Sequence, residues 1–318
     1  MIDPFMSDLI VAIGIAAIGD NMMGQESAMT VRQLWDGQAL LGEGPVWDAA
    51  RNCLWFVDIK APAVHRHDPA TGHTDSWAAP APVGWVLPAD NGLLLAGLKT
   101  GLHRFDPADG SFTHLSDVES DAPGNRLNDA TIGPDGIVWF GSMDDSHEQQ
   151  SGRVYRWDGE RVAATGIDPV CITNGPAVSP DGRILYHVDT VAGIIHAVTI
   201  EADGSTGAMR DFATIDPADG NPDGVTCDSQ GNVWVGIWGG WCARLYAPDG
   251  SILTEVKLPA ANVTKVALGG PDLKTAYVTT AHIGLSDEER AGQPAAGNLF
   301  AFEVEVPGQR LPTVRMAR

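Results

Sequence analysis

The sequence predicts an all-β fold, a six-bladed β-propeller with four-stranded antiparallel blades around a central channel. Two observations support this prediction: one strand unit recurs six times, and no long helical period occurs in the 318 residues. Repeats of roughly 45 residues that consist of strands and tight turns are typical of propeller blades. The alternative is a β-sandwich with coincidental spacing, but a sandwich does not require the same unit six times.

The first part of each repeat is a short run of aromatic and β-branched residues, which favours a strand. Successive runs begin 39, 44, 47, 49 and 43 residues apart, and turn sequences such as Pro134-Asp135-Gly136 precede them. A second extended segment follows each run, so every repeat contains at least two adjacent strands. The six runs are LWFVDI (54–59), LLLAGL (93–98), IVWFGSM (137–143), ILYHVD (184–189), VWVGIW (233–238) and AYVTT (276–280).

The repeats are expected to form a single domain over residues 31–318, because one blade cannot bury both of its faces alone. Residues 1–30 are expected to be a disordered extension or an added leader, with Met29 as the natural start. The apolar segment 9–19 within them has eleven residues, too few to span a bilayer. An unusual signal peptide is the alternative, although Asp3 and Asp8 precede the segment where a basic region is expected.

The charge and the cysteines restrict the partners and the location. The chain has 41 acidic and 20 basic residues, a net charge of −21. Such a surface repels phosphate backbones and anionic lipids, so neither nucleic acid nor a membrane is an expected partner. The protein is expected to be a monomer or a weak homo-oligomer in the cytoplasm, where thiols stay reduced. The cysteines lack a Cys-x-x-Cys pair and are expected to be free: Cys53, Cys171, Cys227 and Cys242.

At one position of the repeat, most side chains carry a polar oxygen atom. Counting back six residues from the turn before each run selects Glu43, Val83, Asn128, Asn174, Asp223 and Thr264. Four of these six side chains carry a carboxylate or an amide, and closure of a ring would bring them to one rim of the channel. Such residues beside glycine also cap turns. Capping, however, gives no reason for the same offset in four repeats.

The residues at this shared position suit a metal ion. Two carboxylates and two amides, with no histidine or cysteine at the same offset, form a set of hard oxygen donors. Such a set suits one divalent ion: calcium, magnesium or manganese, or iron(II) or zinc when water completes the coordination. A cation also offsets the repulsion between two converging carboxylates. We therefore expect one divalent ion per chain.

Six segments of the sequence carry a family resemblance: LGEGPVWD, LWFVDI, NRLNDATIGPDG, ITNGPAVSPDG, NPDGVTCDSQGNVWV and NVTKVALGGPDLKTAYVTTA. They resemble the family of senescence marker protein, gluconolactonase and luciferin-regenerating enzyme. The resemblance runs from about Leu34 to the C-terminus and is strongest to bacterial aldonolactonases of the xylonolactonase type. It implies a hydrolase of carboxylic esters that opens a sugar lactone, such as xylono- or gluconolactone, to the sugar acid.

The resemblance also implies roles for individual residues. It assigns the metal to Glu43, Asn174 and Asp223, and substrate contacts to Arg126 and Asn128. A further family glutamate contacts sugar hydroxyls, and direct counting places it at Ser146 in GSMDDSHEQQ, whereas Glu148 is the nearest glutamate. Both residues are therefore candidates for substrate binding, and the sugar specificity is open.

The expected chemistry is addition of water to a lactone carbonyl. A cation beside the carbonyl oxygen stabilises the charge that develops there, and Asp223 is the expected base that takes the proton of the water. The sequence has no Gly-x-Ser-x-Gly motif, which argues against a covalent acyl-enzyme. Two alternatives are a promiscuous metal-dependent esterase or phosphotriesterase on the same fold, and a non-catalytic propeller that binds a partner.

Overall fold

The computed structural model describes residues 29–316. The expected extension, residues 1–30, lies outside the described residues except for its last two, and so does the apolar segment 9–19. Within residues 29–316, no helix has the length and apolar character needed to cross a membrane. The described chain contains 24 β-strands and one short α-helix.

The first strand of the chain, β1 (Arg32–Trp35), joins the last group of strands. The next sixteen strands form four separate antiparallel sheets, each with four strands in chain order. The first two sheets are β2 (Gly42–Asp48), β3 (Cys53–Asp58), β4 (Ala63–His67), β5 (Thr74–Ala78); and β6 (Val83–Pro88), β7 (Leu94–Leu98), β8 (Gly101–Asp106), β9 (Ser111–Ser116). The next two are β10 (Asn125–Ile132), β11 (Val138–Asp144), β12 (Val154–Trp157), β13 (Val162–Ala164); and β14 (Thr173–Val178), β15 (Ile184–Asp189), β16 (Ile194–Ile200), β17 (Thr206–Thr214).

The remaining strands form an eight-stranded sheet with two halves. The halves are joined by one pair of residues, Trp238 opposite Asn262. In the second half β1 pairs antiparallel with β24, so the start of the chain completes the last group of four strands. The elements are β18 (Asn221–Cys227), β19 (Val233–Trp238), β20 (Cys242–Tyr246), β21 (Ile252–Lys257); and β22 (Asn262–Gly269), β23 (Thr275–Ala281), α1 (Asp287–Gly292), β24 (Leu299–Glu303).

The first strands of the groups contact one another in a closed cycle. These inner strands are β2, β6, β10, β14, β18 and β22; each contacts the next, and β22 contacts β2. The six apolar runs predicted as strands are the second strands of the groups, and the segments that follow them are the third strands. The prediction of an all-β fold is confirmed, and its four-stranded antiparallel sheets are consistent with a propeller.

Tryptophans at equivalent positions fill the space between the sheets. Trp55, Trp139 and Trp234 lie on β3, β11 and β19 and expose at most 1% of their surface. Trp55 packs edge-to-face against Phe105 of the next sheet, with 6.4 Å between ring centroids. Burial of an aromatic side chain of this size contributes about 3 kcal/mol. The four cysteines are buried free thiols, as predicted.

After β24 the chain crosses the end of the ring at which the inner strands finish. Gly308 pairs with Asp228 just beyond β18, and Val314 pairs with Ala89 just beyond β6. Between them Gln309 donates a hydrogen bond of 2.9 Å from Nε2 to the Val178 carbonyl at the end of β14. The C-terminal segment, residues 308–314, therefore connects three groups of strands.

Candidate active site

Every inner strand is interrupted at a corresponding point by a shift in register. In β2 the shift follows Glu43, and in β14 it follows Asn174. In β10 and β18 the interrupted stretch contains Asn128 and Asp223. A β-bulge re-aims side chains near functional sites. The shared offset in the sequence therefore corresponds to a bulge near the start of each inner strand.

Polar side chains from four inner strands are buried at these bulges. Nδ2 of Asn128 donates hydrogen bonds of 2.7 Å to Oδ1 of Asn174 and to the Thr173 carbonyl. Nδ2 of Asn174 donates to Oγ1 of Thr190 at 2.9 Å. These bonds orient both amides. The four side chains, each 4–5% exposed, are Glu43, Asn128, Asn174 and Asp223.

The two carboxylates of this group are in an unfavourable electrostatic environment. Burial, followed by the negative charge of Asp129, raises the pKa of Glu43 to about 8, although the Gly44 amide donates to Oε2 at 2.9 Å. Burial, followed by the charges of Glu43 and Asp129, raises the pKa of Asp223 well above its ordinary value. Burial and the negative charge of Asp129 outweigh the opposite effect of Lys265 and Arg126 on both carboxylates, so their surroundings lack sufficient positive charge.

A divalent cation would supply that positive charge. Asp223 receives no hydrogen bond from any of the described residues, an unusual state for a buried carboxylate. Within the described chain, no three histidine, cysteine, aspartate or glutamate side chains converge in a metal-binding cluster. The set Glu43, Asn174 and Asp223 differs from such clusters because one of its donors is an amide. Its oxygen donors and its uncompensated charge fit a hard divalent ion.

A charged network lies next to these residues. Arg126 is buried; its Nε donates to Oδ1 of Asp145 at 2.8 Å and its Nη1 to Oδ1 of Asn128 at 2.5 Å. Nζ of Lys60 lies 2.7 Å from the same oxygen of Asp145. The sequence analysis did not identify Asp145 or Lys60. The antiparallel pairing of Arg126 with Met143 could have identified Asp145, which follows Met143 by two residues.

The two candidates for the sugar-binding residue lie on the exposed loop after β11. Oγ of Ser146 donates to Oδ2 of Asp144 at 2.8 Å, and the backbone amide of Glu148 donates to the same oxygen at 2.8 Å. Neither side chain bonds to Arg126 or Asn128 among residues 29–316. The carboxylate that the structure places beside Arg126 is Asp145.

A buried ion pair lies one residue further along two of the inner strands. Nζ of Lys265 on β22 is 2.6 Å from Oδ1 of Asp129 on β10, and the side chains are 5% and 1% exposed. Asp129 Oδ1 also accepts a bond of 2.7 Å from the Ala130 amide, a local contact within the interrupted stretch of β10. Its Oδ2 is buried and has no partner among the described atoms. The sequence analysis did not identify Lys265.

Comparison with known proteins places the chain in a family. Residues 41–282 match the family described as SMP-30/Gluconolactonase/LRE-like region, and the chain belongs to this family. A 6-deoxy-6-sulfogluconolactonase of Pseudomonas putida is 33% identical, over 85% of this chain and 93% of that protein. A pentonolactonase of Haloferax volcanii is 34% identical, over 88% of this chain and 97% of that protein.

A solved structure has the same overall fold. The calcium-binding protein regucalcin from Agrobacterium tumefaciens superposes with a TM-score of 0.87 at 30% sequence identity, and covers 91% of this chain and 98% of its own. The two bacterial and archaeal relatives carry names of sugar lactonases, which are hydrolases of carboxylic esters. The resemblance inferred from the sequence motifs is confirmed.

Proposed function

We propose that this protein hydrolyses a sugar lactone to the open-chain sugar acid, with one divalent ion bound by Glu43, Asn174 and Asp223. The observation that carries the proposal is the burial of two carboxylates with raised pKa values beside the Arg126 and Asn128 pair. The lactonases among the relatives support the class of reaction. Aldonolactones such as xylono- and gluconolactone are the proposed substrates.

Asp223 is the proposed catalytic residue. A bound divalent ion polarises a carbonyl and favours addition of water to it. Asp223 takes a proton from the water as the water oxygen adds to the lactone carbon. When the ring C–O bond breaks, this proton is returned to the ring oxygen, which becomes a hydroxyl of the open sugar acid. No described group donates a hydrogen bond to the Asp223 carboxylate, so one oxygen is available to bind the ion and the other to accept the proton.

Arg126 and Asn128 are the proposed substrate-binding residues. Nε and Nη1 of Arg126 are engaged by Asp145 and Asn128, which fixes the plane of the guanidinium. Its Nη2 bonds to none of the described residues and is the donor that remains for a sugar hydroxyl or for the new carboxylate. Ser146 and Glu148, on the loop beside this network, are proposed to reach the sugar from its exposed side.

We also infer that the groups of strands are six blades of one closed propeller domain in the cytoplasm. The ring of contacts between inner strands and the pairing of β1 with β24 support the blade count. Four buried free thiols support a reducing compartment.

Titration of the released acid at constant pH tests the proposal. Protein treated with EDTA is reloaded with calcium, manganese, magnesium, zinc or iron(II) and offered pentono- and hexonolactones, a simple ester and a phosphotriester. We expect lactone opening that disappears on chelation and in Asp223→Asn, and that persists in Asp168→Asn, a change at an exposed carboxylate.

Other outcomes would contradict this proposal. Full activity of the metal-free protein would exclude the role of the ion. Turnover of the ester or the phosphotriester alone would favour the esterase alternative. A protein that binds no metal and opens no lactone would favour a binding module.

A further inference from the structure

We propose that the ammonium group of Lys265 neutralises Asp129 inside the channel. The combined charge of Lys265 and the buried carboxylates is then equal and opposite to the charge of one divalent ion. The inference rests on the proposed function because it concerns the ion held by Glu43, Asn174 and Asp223. It assigns a positioning role to the pair of Asp129 and Lys265, whose side chains are 2.6 Å apart.

The pair joins two inner strands that are not neighbours in the ring of contacts. Asp129 follows Asn128 directly, and Lys265 follows the in-phase Thr264 directly. Their strands, β10 and β22, are separated in the ring of contacts by two inner strands on either side. The side chains therefore meet across the channel rather than between neighbouring strands. The other four inner strands carry glycine at this position: Gly44, Gly84, Gly175 and Gly224.

The glycines leave room for the lysine. A Cβ added to Gly224 would lie 2.6–2.7 Å from three carbons of the Lys265 side chain, closer than atoms approach in proteins. The lysine stem therefore occupies the space that a side chain at residue 224 would need. Nζ also lies 3.3 Å from the Ala130 carbonyl, a second acceptor on β10. The ammonium group of Lys265 is therefore held at a defined position in the channel.

Lys265 reduces the net negative charge of the buried carboxylates. Three carboxylates, of Glu43, Asp129 and Asp223, are buried and act electrostatically on one another. The charge of Lys265 acts on both Glu43 and Asp223, and it makes its direct contact with Asp129. Arg126 and Lys60 both contact Oδ1 of Asp145, at 2.8 and 2.7 Å, and form a separate network with this partly exposed carboxylate. The three buried carboxylates and Lys265 by themselves carry three negative charges and one positive charge, which equals the charge of one divalent ion with opposite sign.

The test is a cycle of variants in which the binding of Ca²⁺ and of Tb³⁺ is measured by calorimetry and by terbium luminescence. Lys265→Met leaves three negative charges, so we expect the preference for Tb³⁺ over Ca²⁺ to rise at least about tenfold. Asp129→Asn leaves an unpaired ammonium beside the site, so we expect Ca²⁺ affinity to fall at least about tenfold. The double variant restores the wild-type net charge. Its preference for Tb³⁺ over Ca²⁺ and its affinity for Ca²⁺ should therefore both return to within about threefold of wild type.

Two controls complete the design. Lys257→Met removes one positive charge from an exposed pair with Glu255 and should change neither quantity. The double variant should fold because neutral groups of similar volume replace a buried ion pair. If Lys265→Met does not fold, the loss of Ca²⁺ affinity in Asp129→Asn and its recovery in the double variant still decide the question.

Failure of this inference differs from failure of the proposed function. If the wild-type protein binds Ca²⁺ but the cycle shows neither the change in preference nor the recovery, Lys265 does not set the charge of the site. If the wild-type protein binds neither ion, the proposed metal-dependent function fails, and this inference fails with it.

Discussion

Nδ2 of Asn128 on β10 donates a hydrogen bond of 2.7 Å to Oδ1 of Asn174 on β14, and this bond joins two neighbouring inner strands at the candidate site. The amide oxygen of Asn174 has two lone pairs, so it can accept this bond and also bind a cation. Asn128 therefore orients the amide that the proposed ion requires. Because Asn128 also accepts a bond from Arg126, it connects the proposed metal ligand to the proposed substrate donor.

Asn128→Ala should weaken both the fold and the site. The change removes donors to Asn174 and Thr173 and the acceptor of Arg126, all of which are buried. We expect the free energy of unfolding to fall by about 2–4 kcal/mol and lactone KM to rise. Urea denaturation and initial rates measure the two effects. Gln150→Ala, at an exposed amide, should leave the free energy of unfolding within about 0.5 kcal/mol of the wild-type value. A loss equal to that of Asn128→Ala would contradict the assignment of the effect to the buried hydrogen bonds.

Asp223→Asn should stabilise the metal-free protein while it abolishes lactone opening. The amide removes a buried negative charge that lacks donors and lies near Glu43, so we expect a gain of about 2 kcal/mol in EDTA. Because the folded-state pKa of Asp223 is raised, the folded protein retains a proton that the unfolded chain loses above about pH 4. The wild type therefore loses stability as pH rises, and the gain in the variant should be larger at pH 8 than at pH 5.

Urea denaturation in EDTA at the two pH values tests this prediction. Asp168→Asn serves as the control, because its carboxylate is exposed. A variant that is less stable than wild type at both pH values would show that the Asp223 charge is compensated in the metal-free fold.

His187 should make the fold sensitive to acid. Its ring is 1% exposed, neither nitrogen has a partner among the described atoms, and burial followed by the neighbouring His196 lowers its pKa from 6.5 to about 3. At pH values between about 3 and 6.5, the unfolded chain therefore binds a proton at His187 that the folded protein does not bind. Stability should fall as pH falls below about 6.5, by about 2 kcal/mol between pH 7 and pH 5.

His187→Phe should reduce this loss of stability in acid. Unfolding free energies at pH 7 and pH 5 provide the measurement, and His73→Phe, at an exposed ring, is the control. Equal slopes for wild type and His187→Phe would assign the acid sensitivity to other groups.

Asp145→Asn should affect substrate binding more than the chemical step. The change removes the partner that fixes Arg126 and leaves Lys60 unpaired near the site. We expect KM to rise by about tenfold with little change in kcat, because the proposed metal ligands and Asp223 are not altered. Ser146→Ala and Glu148→Gln should change KM less, since both residues bond to Asp144 and are exposed. A larger effect of either change would identify that residue as the main sugar contact.

The sequence predicted those parts of the molecule that depend on local pattern. The second and third strands of each group followed from apolar runs and turns. The shared offset selected the oxygen-bearing residues Glu43, Asn128, Asn174 and Asp223, and the family resemblance proposed three of them as metal ligands. The offset is informative because each inner strand has its bulge at a corresponding point. The free state of the cysteines followed from their spacing.

The charged pairs of the site could not be predicted in this way. Lys60 is 85 residues from Asp145, and Lys265 is 136 residues from Asp129. Neither pair belongs to a local motif, because each contact depends on how distant strands meet around the axis. For Asp129 only the bond from the next amide is local, and the contact with Lys265 is not.

The two ends of the described chain also determine when folding can finish. β1 is synthesised first but pairs with β24, and Val314 near the other end pairs with Ala89 beside the second group of strands. A nascent chain on the ribosome can form its early sheets, but the edge of the last group of strands remains unpaired until β24 emerges. Closure of this molecule therefore waits for the synthesis of β24, and a chain that terminates before residue 299 would present unpaired strand edges to chaperones and proteases.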